Sequence, residues 1–168
     1  MLHVYTGDGK GKTTAAFGLA SRARGSGLDV CIVQFMKGTL SSEIKSARSL
    51  GIDVYQFGRD TLVDRNNPHP DDLLAAQEGL EFTREAIKKE TYDLMILDEV
   101  NVAIDFNLLL MEDILELVIA RPATMEMVLT GRNARAELIN LADYVTEMKE
   151  VKHPYHASGI PARKGIEY

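Results

Sequence analysis

The sequence predicts a three-layer α/β domain built on a mainly parallel sheet, and three observations lead there. Short apolar runs alternate with helix-length amphipathic segments from one end to the other. Parallel strands need such crossovers, nearly all of them right-handed, and the crossing helices cover both faces of an open sheet. A glycine-rich stretch, Gly7 to Gly11, separates the first apolar run from the first helix. A later apolar run, LMIL at residues 94–97, ends on two acids, Asp98 and Glu99. In open sheets of this kind ligands gather at the carboxyl ends of the strands.

Each element follows from its pattern. Residues 2–5 are a short apolar strand. Residues 13–24 form a helix with Ala16, Leu19, Ala20 and Ala23 on one face, ended by Gly25 and Gly27. Residues 30–35 (VCIVQF) read as a buried strand and residues 54–57 as another. Residues 67–70 lead into a helix at 71–89, in which Leu73, Leu80 and Ile87, seven apart, read as a core stripe. Residues 94–97 are a central strand, 111–119 a helix, 126–129 a strand, 134–142 a helix and 144–148 a last strand. Two loops are long enough to matter, 58–70 and the segment after Met148.

With 168 residues, the expected organisation is one domain over residues 1–168, with 149–168 as a C-terminal tail near the site. A chain of this size hides roughly 70% of its surface on folding, enough for a core without staples. Hydrophobic content of 45%, charged content of 26% and 5 prolines exclude a disordered or collagen-like chain. A single cysteine excludes an intrachain disulfide and an all-cysteine metal site; Cys31, inside VCIVQF, reads as a small buried apolar residue. No apolar run nears the ~18 residues of a membrane span and no basic-then-apolar leader opens the chain, so the expectation is a soluble cytoplasmic protein away from membranes. The net charge of −6 argues against a nucleic-acid partner. Positive charge collects at Lys10 with Lys12, and at Lys149, Lys152, Arg163 and Lys164, a set whose charge pattern reads as a solvated tail.

The strongest local signal is Thr6-Gly7-Asp8-Gly9-Lys10-Gly11-Lys12-Thr13-Thr14, after a strand and opening a helix. Glycines let backbone N–H groups close on phosphate oxygens, and the helix N-terminus adds unpaired donors and a positive dipole end. Lys12 reaches terminal phosphates and the Thr13 hydroxyl ligates Mg²⁺ in the GxxxxGK[ST] pattern, although Thr6 stands where the first glycine belongs. Mg²⁺ is a hard ion that takes one or two protein oxygens and completes its octahedron with water and phosphate, which suits the acids after LMIL. The chain therefore reads as a nucleoside-triphosphate protein. Hydrolysis, phosphoryl transfer and attack at the nucleoside carbon share these parts, and the generic features leave all three open.

Over most of its length the sequence resembles a known family. YTGDGKGKTTAAFGLA, VQFMKG, LMILDEVNVAID, ARPATMEMVLTGR and LADYVTEMKEVKHPYHASGIPARKGIEY, in that order, are similar to the P-loop ATP:corrinoid adenosyltransferases, from Tyr5 to Tyr168. The resemblance implies a RecA-like fold, a homodimer, and transfer of the 5′-deoxyadenosyl group of ATP to the Co(I) centre of a reduced corrinoid, with release of tripolyphosphate. It implies Mg²⁺, with Mn²⁺ as an alternative, and a reductant such as a flavoprotein. Gly7, Asp8, Gly9, Lys10, Gly11, Lys12, Thr13 and Thr14 match the triphosphate loop, Thr13 and Glu99 the metal contacts, and Asp98 a residue behind them. Lys12 and Glu99 are the residues assigned to catalysis. Arg22 matches an arginine expected near the nucleoside, and Arg132, just past a strand end, one that neutralises phosphate charge. His153 and His156 read as packing or tail ordering, with a place bordering the corrinoid as the alternative, and Lys37 with Gly38, after a strand end, could meet either substrate.

Two departures from the family pattern bear on the corrinoid. Many members carry an N-terminal extension that helps cover the site; only residues 1–5 precede Thr6 here, so the expectation is that such a cover is missing or supplied otherwise. Family members also carry an aromatic pair after the third strand, where this chain reads Gly58-Arg59-Asp60-Thr61-Leu62-Val63-Asp64, leaving Leu62 and Val63 for that place. The competing readings are a P-loop ATPase that drives a partner and a nucleotide- or corrinoid-binding regulator without turnover.

Overall fold

The computed structural model describes residues 1–167. Its strands are β1 (Leu2–Thr6), β2 (Val30–Phe35), β3 (Asp53–Phe57), β4 (Leu94–Asp98), β5 (Glu126–Thr130) and β6 (Tyr144–Glu147). The helices are α1 (Lys12–Gly25), α2 (Ser42–Ser49), α3 (Pro70–Lys89), α4 (Val100–Asp105), α5 (Met111–Ala120), α6 (Ala136–Leu141) and α7 (Pro154–Ser158). The six strands form one sheet in the order β3-β2-β4-β5-β1-β6, and every pairing is parallel. The chain runs outward from β1 to β3, returns to insert β4 and β5, and ends beyond β1. All carboxyl ends therefore share one edge.

The two-residue period of the strands sorts the core. Cys31, Val33 and Phe35, with Met95, Leu97, Met127 and Leu129, pack against α3, α4 and α5 on one face. Val30, Ile32, Leu94, Ile96 and Val128 pack on the other, under Ala16, Ala20 and Ala23 of α1 and Ile44 and Ala47 of α2. The small residues of α1 let the helix lie close to the sheet. On the opposite face Gly79 does the same for α3: a Cβ there would stand 2.8 Å from the Phe35 ring.

Several expectations are corrected. Leu80 and Ile87 are buried at 1% and 4%, but Leu73 is 40% exposed, because seven residues fall about 20° short of two helical turns and the stripe drifts off the packed face over the length of α3. The sixth helix spans only residues 136–141, since Arg135 before it is extended. Helices α2, α4 and α7 were not expected. SEIKSARS presents only Ile44 and Ala47 to the core, and VNVAID follows the strand so closely that its apolar residues continue the run.

Loop 58–70 is tied down at both ends. Arg59 donates to Asp72 with Nε at 2.7 Å and Nη2 at 2.9 Å, and His69 caps α3 through a reciprocal box with Asp72. Val63 turns onto the core while Leu62 is 99% exposed.

Candidate functional site

The phosphate loop, residues 6–14, leaves β1 and turns into α1 at Gly11, which has φ 118°. Gly7 has φ 93°, and a Cβ on it would lie 2.4 Å from the carbonyl oxygen of Met148; one on Gly9 would lie 2.7 Å from the same atom. The Gly9 N–H donates to that oxygen at 2.6 Å. These glycines are thus required twice, for the turn and because the chain leaving β6 presses on the loop. Lys12 is buried, and its Nζ donates to the carbonyls of Gly7 at 2.7 Å and Gly9 at 2.8 Å. Burial pulls its pKa below the ordinary lysine value, partly offset by Glu99.

Behind the loop the strand period brings three polar residues into one place. Gln34, Asp98 and Thr130 are in phase with Ile32, Ile96 and Val128, on the face under α1, where the first turn of that helix carries Thr13. Asp98 is fully buried and accepts four hydrogen bonds. Thr13 Oγ1 at 2.9 Å and Thr130 Oγ1 at 2.7 Å donate to its Oδ1. Gln34 Nε2 at 2.9 Å and Lys37 Nζ at 2.7 Å donate to its Oδ2. Burial opposes the Asp98 anion, but the Lys37 charge and these hydrogen bonds outweigh it and hold the pKa below the ordinary carboxylate value. Burial likewise opposes the Lys37 ammonium, and Asp98 and Glu99 outweigh it in turn.

Glu99 follows with left-handed backbone, φ 64° and ψ 13°, and caps α4. Burial, and then the neighbouring Asp98 charge, raise its pKa. Lys37 Nζ stands 3.8 Å from its Oε1. The donor set fits a hard divalent cation: a hydroxyl on Thr13 and a carboxylate on Glu99 face the cavity, whereas the lone pairs of Asp98 are already committed.

A cavity of about 570 Å³ opens here, lined by Lys10, Gly11, Lys12, Thr13, Thr14, Phe17, Lys37, Ser42, Glu43, Ser46, Glu99, His153 and residues 165–167. Beside it a second, of about 390 Å³, is lined by Asp8, Gly9, Lys10, Lys12, Glu99, Val102, Arg132 and His153. Residues 8–14 of the loop, Glu99 and Arg132 therefore lie around adjoining cavities, whereas Gly7 lines neither and meets Met148 instead. Arg132 faces Asp8, Nε to Oδ1 at 3.8 Å, and the preceding Gly131 is held by Asn101 Nδ2 at 3.4 Å from its carbonyl. Arg22 is not brought in. Ten residues along α1 from Lys12, about 15 Å at the helical rise, it is exposed, acts on Tyr5, and lines neither cavity.

The tail crosses the loop. Glu167 accepts from Lys10 Nζ at 2.9 Å and from Arg163 Nη2 at 3.1 Å, and these partners, Arg163 first, push its pKa down to about 2. His153 caps α7 by accepting from the Tyr155 N–H at 3.3 Å. His156 stands 3.7 Å from Glu150. Among the described residues no three His, Cys, Asp or Glu side chains gather into a metal cage. Cys31 is buried, and burial pushes its thiol up to about 12. Gln34 and Thr130 are functional residues with a weaker signal in the sequence, a polar residue at a strand end in phase with the buried face.

A parallel α/β sheet with a glycine-lysine loop between its first strand and helix, and a buried acid on a neighbouring strand, defines a P-loop nucleotide-binding protein. A likeness to the solved KaiC-like protein PH0186 from Pyrococcus horikoshii OT3, TM-score 0.56 at 13% identity over 90% of this chain and 73% of that one, shows the fold. The model of the ATP:corrinoid adenosyltransferase BtuR/CobO/CobP family matches residues 1–168, and the chain belongs to that family. It is 34% identical over 169 residues to the corrinoid adenosyltransferase of Escherichia coli strain K12, covering all of this chain and 85% of the relative. With the corrinoid adenosyltransferase of Pseudomonas aeruginosa it shares 36% identity over 170 residues, covering 100% of this chain and 83% of that one.

Proposed function

We propose that the protein transfers the 5′-deoxyadenosyl group of ATP to the Co(I) centre of a reduced corrinoid. Cobalt supplies the electron pair of the new cobalt–carbon bond, the C5′–O bond breaks, and its electrons leave on tripolyphosphate. The observation that carries this reading is the family match over residues 1–168, on a chain whose phosphate loop, Glu99 and Arg132 surround adjoining cavities. Because the metal of the substrate is the nucleophile, the protein has no side chain to activate. Its work is to place C5′ and to stabilise the charge that develops on the departing phosphates. Lys10, Lys12 and Arg132 supply the opposing positive charge, with Lys12 exchanging the Gly7 and Gly9 carbonyls for phosphate oxygens. Thr13 and Glu99 would hold Mg²⁺ or Mn²⁺, which adds Lewis-acid neutralisation of the triphosphate.

The low-valent substrate implies a reductant, a flavoprotein or similar, and the single buried thiol suits the cytoplasm; the homodimer is part of the same proposal. Among the described residues no helix is long and apolar enough to cross a membrane. The test is incubation with ATP, Mg²⁺, corrinoid and a strong reductant. The spectrum of a cobalt–carbon bond and stoichiometric tripolyphosphate are expected, and Lys12→Ala lowers turnover by about 100-fold or more. ADP and phosphate in their place would overturn the assignment in favour of an ATPase.

A further inference from the structure

We propose that Thr130 is a positioning residue which holds Glu99 in the backbone conformation that aims its carboxylate at the nucleotide cavity; the inference rests on the functional reading above. The Thr130 hydroxyl is buried and has both of its roles fixed. It donates to Asp98 Oδ1 at 2.7 Å and accepts from the Glu99 backbone N–H at 3.0 Å. With its proton committed to Asp98, a lone pair must face the Glu99 amide. The same hydroxyl thereby joins the fully buried acid to the main chain of the next residue.

Glu99 needs such a clasp. At φ 64° a non-glycine residue sits in the left-handed region, where its Cβ crowds the following carbonyl oxygen and the backbone is strained relative to the right-handed one. Glu99 lies at the N-terminus of α4, where its N–H precedes the first helical hydrogen bonds, so Thr130 is the partner that satisfies it. Loss of the hydroxyl removes that partner. Rotation of the Glu99 backbone out of the left-handed region then becomes favourable, and it swings the carboxylate away from Thr13 and Lys37. Thr130 is on β5 and Glu99 follows β4, paired strands of the sheet, so the clasp follows from strand order.

Thr130→Val keeps the shape and deletes the hydroxyl. Calorimetric titration with ATP, with Mg²⁺ and again with EDTA, separates the effects. The expected result is about tenfold weaker ATP binding in Mg²⁺, unchanged binding in EDTA, and recovery in Thr130→Ser. In a Glu99→Gln background, Thr130→Val is expected to add nothing further. If the valine variant does not fold, Thr130→Ala is expected to show the same split. Equal losses with and without Mg²⁺, additivity with Glu99→Gln, or wild-type affinity in the valine variant would each overturn the inference. A wild-type protein whose ATP binding ignores Mg²⁺ would overturn the metal assignment, and this proposal with it, whereas a failed adenosylation assay with Mg²⁺-dependent ATP binding intact would strike the functional reading alone.

Discussion

Asp98 keeps its negative charge at a position with no solvent exposure, which is tolerable because four donors occupy its two oxygens and one of them is cationic. Asp98→Asn preserves the outline but must turn an N–H₂ group toward donors, leaving Lys37 or the two threonines without an acceptor. The loss should approach, without reaching, the roughly 3–5 kcal/mol of a broken fully buried pair, because Lys37 is 31% exposed. A lower Tm together with turnover reduced at least tenfold is expected, checked by thermal melting and by assay of the folded fraction. At this scale the sequence was partly legible. The glycines, lysine and threonine of the loop announce themselves because they are contiguous and follow a strand. Gln34 and Thr130 do not, since their meaning depends on which strands become neighbours, and residues 34, 98 and 130 are brought together only by the order β2-β4-β5.

The elements that were easy to read are those whose apolar period is long or whose strand is buried on both faces, such as β2 and β4. The short helices α2 and α4 bury little or directly continue a strand, so their pattern carries too few turns to be distinguished. Loop 58–70 shows a different limit: the letters contain Arg59 and Asp72, but not that they meet. Their pairing gives the loop a pH dependence. The hydrogen bond from Arg59 holds the Asp72 pKa below its ordinary value. Folded Asp72 therefore binds a proton less readily than the unfolded chain does. The resulting stabilisation is present above the ordinary aspartate value of about 4 and is lost as pH falls through the lower folded value. Asp72→Asn should lower the Tm at pH 7, and the gap from wild type should narrow on acidification below about pH 4, as measured by melts across pH. A gap that stays constant would remove the ion pair as the cause.

At the scale of the whole molecule, the inserted strands β4 and β5 place the phosphate loop next to acids and hydroxyls that are distant in sequence, and an acidic protein gathers Lys10, Lys12, Lys37 and Arg132 at one edge of its sheet. The fold class and the location of the site could be read from the alternation and the loop. The role of the tail could not, because a run of charges looks solvated until its partner is known, here Lys10, 157 residues away from Glu167. That contact lies near the surface, where solvent screens it, and it adds little to global stability. Glu167→Gln should leave the Tm within about 1–2 °C of wild type and yet speed tryptic cleavage at Arg163 and Lys164 several-fold, followed by mass spectrometry. Unchanged cleavage would show that the tail is held by other contacts.

The carbonyl of Met148 against Gly7 and Gly9 has a consequence for biogenesis. The loop at residues 7–9 is braced by a residue about 140 positions further along the chain, so the phosphate cradle is unfinished until Met148 has been added. Closing so distant a contact is a slow event in folding. A finished cradle for the nucleotide therefore awaits β6, the edge strand beside β1.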